Sequence, residues 1–232
     1  MFGPSNVFVK FLRQGFGLLN VIWGMKASSR ARKILKFFPQ DVQEYFAEID
    51  KTLQKQGYTL FLGGGKYLNN GGRCGGYFDD VNKVLAVSMG RDLESVLSTL
   101  IHEFSHYQQK IDKSSIWHNY RIYNGHSRFF YYLGGKRIYK HKDAALSAVK
   151  LEADCERRAV KLAKRWPKYI NMERYCSKAN SYILSYHYML KTGKWLTKSP
   201  YDRKIIAHSP DKLLRSYARV PERLSMAFDR WL

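Results

Sequence analysis

Residues 91–109 read RDLESVLSTLIHEFSHYQQ, and the five at 102–106, His102-Glu103-Phe104-Ser105-His106, have the form H-E-x-x-H. Gly90 closes the segment before them, Asp92 suits a helix N-cap and Glu94 suits the positive end of the helix dipole. Leu93, Val96, Leu97, Leu100, Ile101 and Phe104 then recur at helical spacing and form one apolar stripe. His102 and His106, four apart, stack on the other side of that helix and can share a metal ion. Glu103 stands at the margin, where a carboxylate can act as general base on a water bound to the metal. An ordinary amphipathic helix fills that side with Lys, Arg and Gln. Here it carries two imidazoles beside a carboxylate.

A catalytic zinc takes three protein ligands and leaves one position for water. The best third ligand lies on a helix expected from Asp143 to about Trp166 and ended by Pro167. Around Glu152, the residues Ala145, Ala148, Val149, Glu156, Ala159, Val160 and Ala163 fall within about 80 degrees, at about 100 degrees per residue. Lys150, Asp154, Arg157, Lys161 and Lys164 take the opposite side. Two carboxylates in the middle of a small apolar packing face are costly unless a cation or hydrogen-bond donors meet them. Zinc at Glu152, with Glu156 one turn on holding a ligand histidine, satisfies both. Asp154 faces away and suits a nearby Arg. The competing third ligand is His126, in the stretch NGHSRFF at 124–130.

Outward from these two helices the chain is less specific. Pro39 and Asp41 open a helix over roughly 41–56 that ends near Gly57. Tyr58–Leu62, Arg73–Phe78 and Lys83–Ser88 read as strands, the last two joined by a turn at Asp79-Asp80. The strand at 83–88 is the expected edge for pairing with an extended substrate. GGGK at 63–66 lacks the frame of a phosphate-binding loop. Residues 113–142 are polar and rich in aromatics. A helix over roughly 172–195 follows, and short helices lie between Pro200, Pro210 and Pro221. On that region Tyr182, Tyr186, His187 and His208 are candidate donors to a developing oxyanion.

Residues 7–25, VFVKFLRQGFGLLNVIWGM, are apolar but interrupted by Lys10 and Arg13, and the uncharged run from Gln14 to Met25 is too short to span a bilayer. A weak signal peptide is one reading, and a helix packed on the domain fits better. The expected organisation is a basic, partly apolar extension over 1–40 and one domain over 41–232.

At 232 residues the chain can bury a sizeable core, and 17 Tyr, 13 Phe and 5 Trp argue against disorder. Three widely spaced cysteines exclude a fully paired disulfide framework, which fits a reducing, intracellular compartment. The net charge is +21, unevenly spread. Residues 1–40 carry seven bases and no acid, and residues 41–112 carry seven bases against ten acids, or −3. Residues 113–232 carry twenty-six bases against nine acids, or +17. Such surfaces favour nucleic acid or another polyanion.

H-E-x-x-H with a downstream Glu on a second helix resembles the gluzincin branch of the zincin metallopeptidases. More closely, TLIHEFSHYQQ, LEADCERRAVKLAKRW and KANSYILSYHYM, followed by GKW and SPY, look like uncharacterised HExxH proteins carried by tailed bacteriophages, over about residues 75–205. The resemblance implies an α+β, zincin-like fold, with a small, mostly antiparallel sheet packed on the active-site helix and a mainly helical C-terminal half. It implies a zinc metallopeptidase acting on polypeptides, with one Zn2+ per chain held by His102, His106 and Glu152 and with Glu103 as base. A host cytoplasm or virion location follows from the same likeness. The gluzincin pattern E-x-x-x-D is broken, because Glu156 stands where the Asp belongs. His126 after Gly125, with Phe129 behind it, is similar to the third-ligand region of SprT-like proteases, which act on proteins crosslinked to DNA; their cysteine ribbon is absent. Two other classes compete with the peptidase: a basic DNA-binding protein, and a virion component that keeps a zincin scaffold.

Overall fold

The computed structural model describes residues 26–70, 72–136, 139–217 and 221–230. The expected helix over 7–25 lies outside them. The chain divides into two compact units, Met1–Tyr107 and Gln108–Leu232.

In the first unit, strands β1 (Lys26–Ala27), β2 (Thr59–Gly63), β6 (Val84–Ser88) and β5 (Gly76–Asp79) form one sheet in that order, and β3 (Leu68–Asn69) pairs with β4 (Arg73–Cys74). Helices α1 (Ser29–Lys36) and α2 (Gln40–Gln54) pack on β2. Val42, Tyr45, Phe46, Ile49 and Leu53 of α2 are buried at three- and four-residue spacing. Gly57, at φ +73°, then turns the chain out of the helix into β2, a conformation that glycine adopts without strain. Along β2 the side chains alternate: Leu60 and Leu62 are buried on one face, and Phe61 packs on the other against Leu68, Val84 and Ala86.

The sheet is mixed, which corrects the mostly antiparallel expectation. β1–β2 and β2–β6 are parallel and only β5–β6 is antiparallel. The reason is the crossover: α1 and α2 lie between β1 and β2 and return the chain in the same direction. The antiparallel pair is the expected hairpin. Asp79 holds its turn by accepting from the backbone N–H groups of Val81 and Asn82, both at 2.9 Å. The same order moves the edge. Val84–Ser88 lies inside the sheet as β6, paired on both sides, and among the described residues the edge strands are β1 and β5. Residues 26–36, expected in an extension, instead supply β1 and α1 to the first unit.

Helix α3 (Leu93–Ile111) carries the H-E-x-x-H stretch, and the division between the units falls within it. The second unit is helical. α4 (Ser115–Tyr123) and α5 (Gly125–Leu133) occupy the aromatic-rich stretch for which the sequence suggested no element. Ser114 caps α4 by accepting from Trp117 N at 3.1 Å, and Asn124, left-handed at φ +48°, makes the corner into α5. α6 (His141–Ala163) packs on α4, α5 and α7 (Met172–Thr192), as the burial of its small residues allows. α8 (Arg203–Ile206) and α9 (Glu222–Asp229) lean on α7. Phe129, Val149, Ile183, Leu184, Ile205 and Phe228 lie at the centre of this helical core.

Candidate metal centre

The start of α3 forms as its sequence suggests. Asp92 accepts from Ser95 N and from Ser95 Oγ, both at 2.8 Å, and its carbonyl takes the first helical bond from Val96. Val96, Leu97, Leu100 and Ile101 are fully buried, while Leu93 and Phe104 at the margins are half-buried. The opposite side is largely covered as well. Glu103 and His106 are each 8 % exposed, and His102 is half-buried. The His102 and His106 rings stand edge-on, with centroids 4.8 Å apart, so the four-residue spacing does bring the imidazoles together.

Glu103 is held against the edge strand. A Cβ added to Gly76, the first residue of β5, would sit 2.5 Å from Thr99 Cγ2, 2.7 Å from Ala86 O and 3.1 Å from Glu103 Cγ. Only a residue without a side chain lets α3 cross β5 this closely. Arg91 fastens the crossing: its Nη2 donates to Gly75 O at 3.2 Å and to Thr99 Oγ1 at 2.9 Å. Burial lowers the pKa of Arg91, and the charges of Asp92 and Glu103 oppose that shift. Cys74, on the neighbouring strand, has its thiol pKa raised by burial and then by the charge of Glu103. Nothing in the sequence singles out Arg91 or Gly76, since a lone arginine and a lone glycine carry no motif.

His102, His106 and Cys155 make a group that could hold a metal ion, each offering one ligand atom and these atoms all lying within 4.8 Å of one another. Two imidazole nitrogens and a thiol suit a borderline-soft divalent ion. Cysteine spacing speaks to pairing and so does not mark Cys155 as a ligand in the sequence. It nonetheless sits only about 60 degrees from Glu152 on the helical wheel, within the same packing arc. Cys74, Cys155 and Cys176 are all free thiols.

The two candidates for third ligand are found together in the second unit. Glu152 is 3 % exposed, and its Oε1 lies 3.4 Å from Nε2 of His126. His126 Nδ1 is 2.9 Å from the hydroxyl of Tyr120. Tyr182 and Tyr186 share a hydrogen bond of 2.8 Å, and the Tyr186 ring lies 5.3 Å from that of His126. Burial, and then the charge of Glu152, push Tyr120 up to about 12 and hold Tyr182 and Tyr186 well above the usual tyrosine value. The packing arc placed Glu152 and Glu156 in a buried face, and that is where they are. Glu156, 5 % exposed, accepts from the hydroxyl of Tyr175 at 3.0 Å, a partner for which the sequence offered a ligand histidine. Asp154 accepts from Arg158 Nε at 3.0 Å, the arginine pairing expected of it.

Of the candidate oxyanion donors, Tyr182 and Tyr186 belong to this buried cluster. His187, half-buried on α7, has its pKa lowered by burial, and His208 is exposed in the turn after α8. No helix among the described residues is long and apolar enough to cross a membrane. Compared with known proteins, the chain matches no family model, no curated protein and no solved structure.

Proposed function

We propose that this protein is a zinc-dependent metallopeptidase in which Glu103 is the general base. The observation that carries the reading is the placement of Glu103: a largely buried carboxylate, next in sequence to one of two imidazoles sharing a helix face, and packed against the first residue of an edge strand. His102 and His106 supply two metal ligands, and Cys155 of the same group supplies the third. When bound, zinc polarises a carbonyl and brings the pKa of a coordinated water towards neutrality.

The chain's own residues do the rest. Glu103 takes a proton from the attacking water and returns it to the leaving amine. Its burial keeps competing water from that carboxylate, and the Gly76 crossing fixes its height above β5. Among the described residues β5 has a neighbour on one side only, and that edge can pair with an extended peptide and present the scissile bond at a set depth.

The test is metal content together with cleavage of an unstructured protein such as casein. Wild type should carry about one zinc per chain and cleave, H102A should lose the metal, and E103Q should keep it while cleaving at least about a thousandfold more slowly. Cleavage by E103Q at the wild-type rate, or wild-type activity untouched by chelation, overturns the proposal.

A further inference from the structure

On α6 and its C-cap Lys164, the side chains of Lys150, Arg157, Lys161 and Lys164 fall within about 60 degrees of one another, at about 100 degrees per residue. All four are exposed. They form a row roughly 21 Å long, at about 1.5 Å per residue. A second segment adds to it: Arg157 Nη2 donates to the carbonyl of Arg215 at 3.2 Å, which sets the exposed Arg215 beside the row. Asp154, on the same side of α6, is taken by Arg158 and by Gln109 Nε2 at 2.8 Å. Among the described residues none of the four cations of the row forms an ion pair. Surface lysines and arginines are ordinarily interspersed with acids. A straight row of unpaired cations leaves self-repulsion that a polyanion relieves.

We propose that this face of the second unit docks the sugar–phosphate backbone of double-stranded nucleic acid. The row's length corresponds to about six base-pair steps of duplex axis, at about 3.4 Å of rise each. Arg157 and its neighbours in the row reach phosphates and carry no side chain suited to base edges, so binding is independent of sequence. No aromatic residue lies in the arc to stack an unpaired base, which selects the duplex over the single strand. Along this arc of α6 the exposed aliphatic side chain is Leu146, one turn before the row, whereas an interfacial helix presents a whole apolar face to a lipid surface. This surface is independent of the peptidase reading, and neither needs the other.

The experiment is fluorescence anisotropy of a labelled duplex of about twenty base pairs and arbitrary sequence, titrated with the full chain between about 50 and 200 mM KCl. The quadruple variant K150Q/R157Q/K161Q/K164Q keeps helix propensity and should keep the fold, checked by its melting curve. It should bind at least about tenfold more weakly, with the slope of log K against log salt shallower by about three to four units, at about 0.9 for each phosphate no longer neutralised. A control of equal charge, K191Q/K194Q/R203Q/K204Q, should stay within about threefold of wild type. Equal weakening in both variants, absence of wild-type binding, or a row variant that no longer binds anionic phospholipid vesicles yet still binds the duplex would each overturn the proposal.

Discussion

Oε1 of Glu152 lies 3.4 Å from Nε2 of His126, so the two side chains that compete in the sequence for one metal position face each other in the structure. At that distance the two form an ion pair when the imidazole is protonated, a partnership that a helical wheel of either segment alone does not reveal. That pairing makes the third ligand a matter for direct measurement.

Metal content should separate the candidates. C155A should lose most of the zinc that wild type retains after dialysis, whereas E152Q and H126A should retain it and instead lower stability by about 1–3 kcal/mol through the partner left buried. In the cobalt-substituted protein, the near-ultraviolet charge-transfer absorption of a thiolate ligand should be present in wild type and missing in C155A. Retention of full metal by C155A together with its loss in E152Q would return the ligand role to Glu152.

Alkaline titration should expose the buried tyrosines. Their folded-state pKa values are raised, to about 12 for Tyr120 and further in direction for Tyr175, Tyr182 and Tyr186, chiefly by burial. A raised value in the folded state means that the unfolded chain releases protons first, so stability is intact below about pH 10 and falls as pH climbs through the folded values. Phenolate absorbance should show a late stage, in which the buried set ionises only as the second unit unfolds. Y120F should soften that stage.

The crossing of α3 over β5 should tolerate no side chain at its tightest point. G76A places a methyl group against Thr99 and the Ala86 carbonyl and should cost about 1–3 kcal/mol in chemical denaturation. If the protein is a peptidase, G76A should also lower kcat more than it raises KM, since it shifts Glu103 relative to the strand. G72A, where the added atom meets nothing within 4 Å, should be close to neutral.

Asn180 should prove indispensable to the C-terminal segment. It is fully buried on α7, donates through Nδ2 to the carbonyls of Pro210 and Lys212, both at 2.8 Å, and accepts through Oδ1 from Leu214 N and the Tyr217 hydroxyl. N180A strands several of these groups and should destabilise by about 2–4 kcal/mol, with residues 209–217 becoming protease-sensitive before the rest of the chain.

Whatever repeats locally is legible in the sequence. The stripe from Val96 to Ile101, the Asp92 cap and the arc that buries Glu152 and Glu156 follow from helical spacing alone. The Asp79 turn follows from side-chain chemistry. What is not legible depends on partners distant in sequence. Nothing in VLAVS at 84–88 says that β2 lies parallel beside it, so the internal strand passes for an edge. Nothing in NGHSRFF says that His126 meets Glu152. Stretch 115–123 lacks an apolar period because α4 has no buried residue, so the cap at Ser114 and the corner at Asn124 are its marks, whereas α5 buries Phe129 and Leu133 four residues apart.

The contact of Gly76 with Thr99 and Glu103 also bears on the order in which the chain assembles. It joins residues fewer than about thirty apart, through one hairpin and one connection, so its loop-closure entropy is small. β1 must wait for a partner more than about thirty residues downstream, and its parallel register cannot be nucleated by a turn. The hairpin and the first turns of α3 therefore form the natural nucleus of the first unit. On contact order, Glu103 is expected to reach its place beside β5 before β1 docks at the opposite end of the sheet.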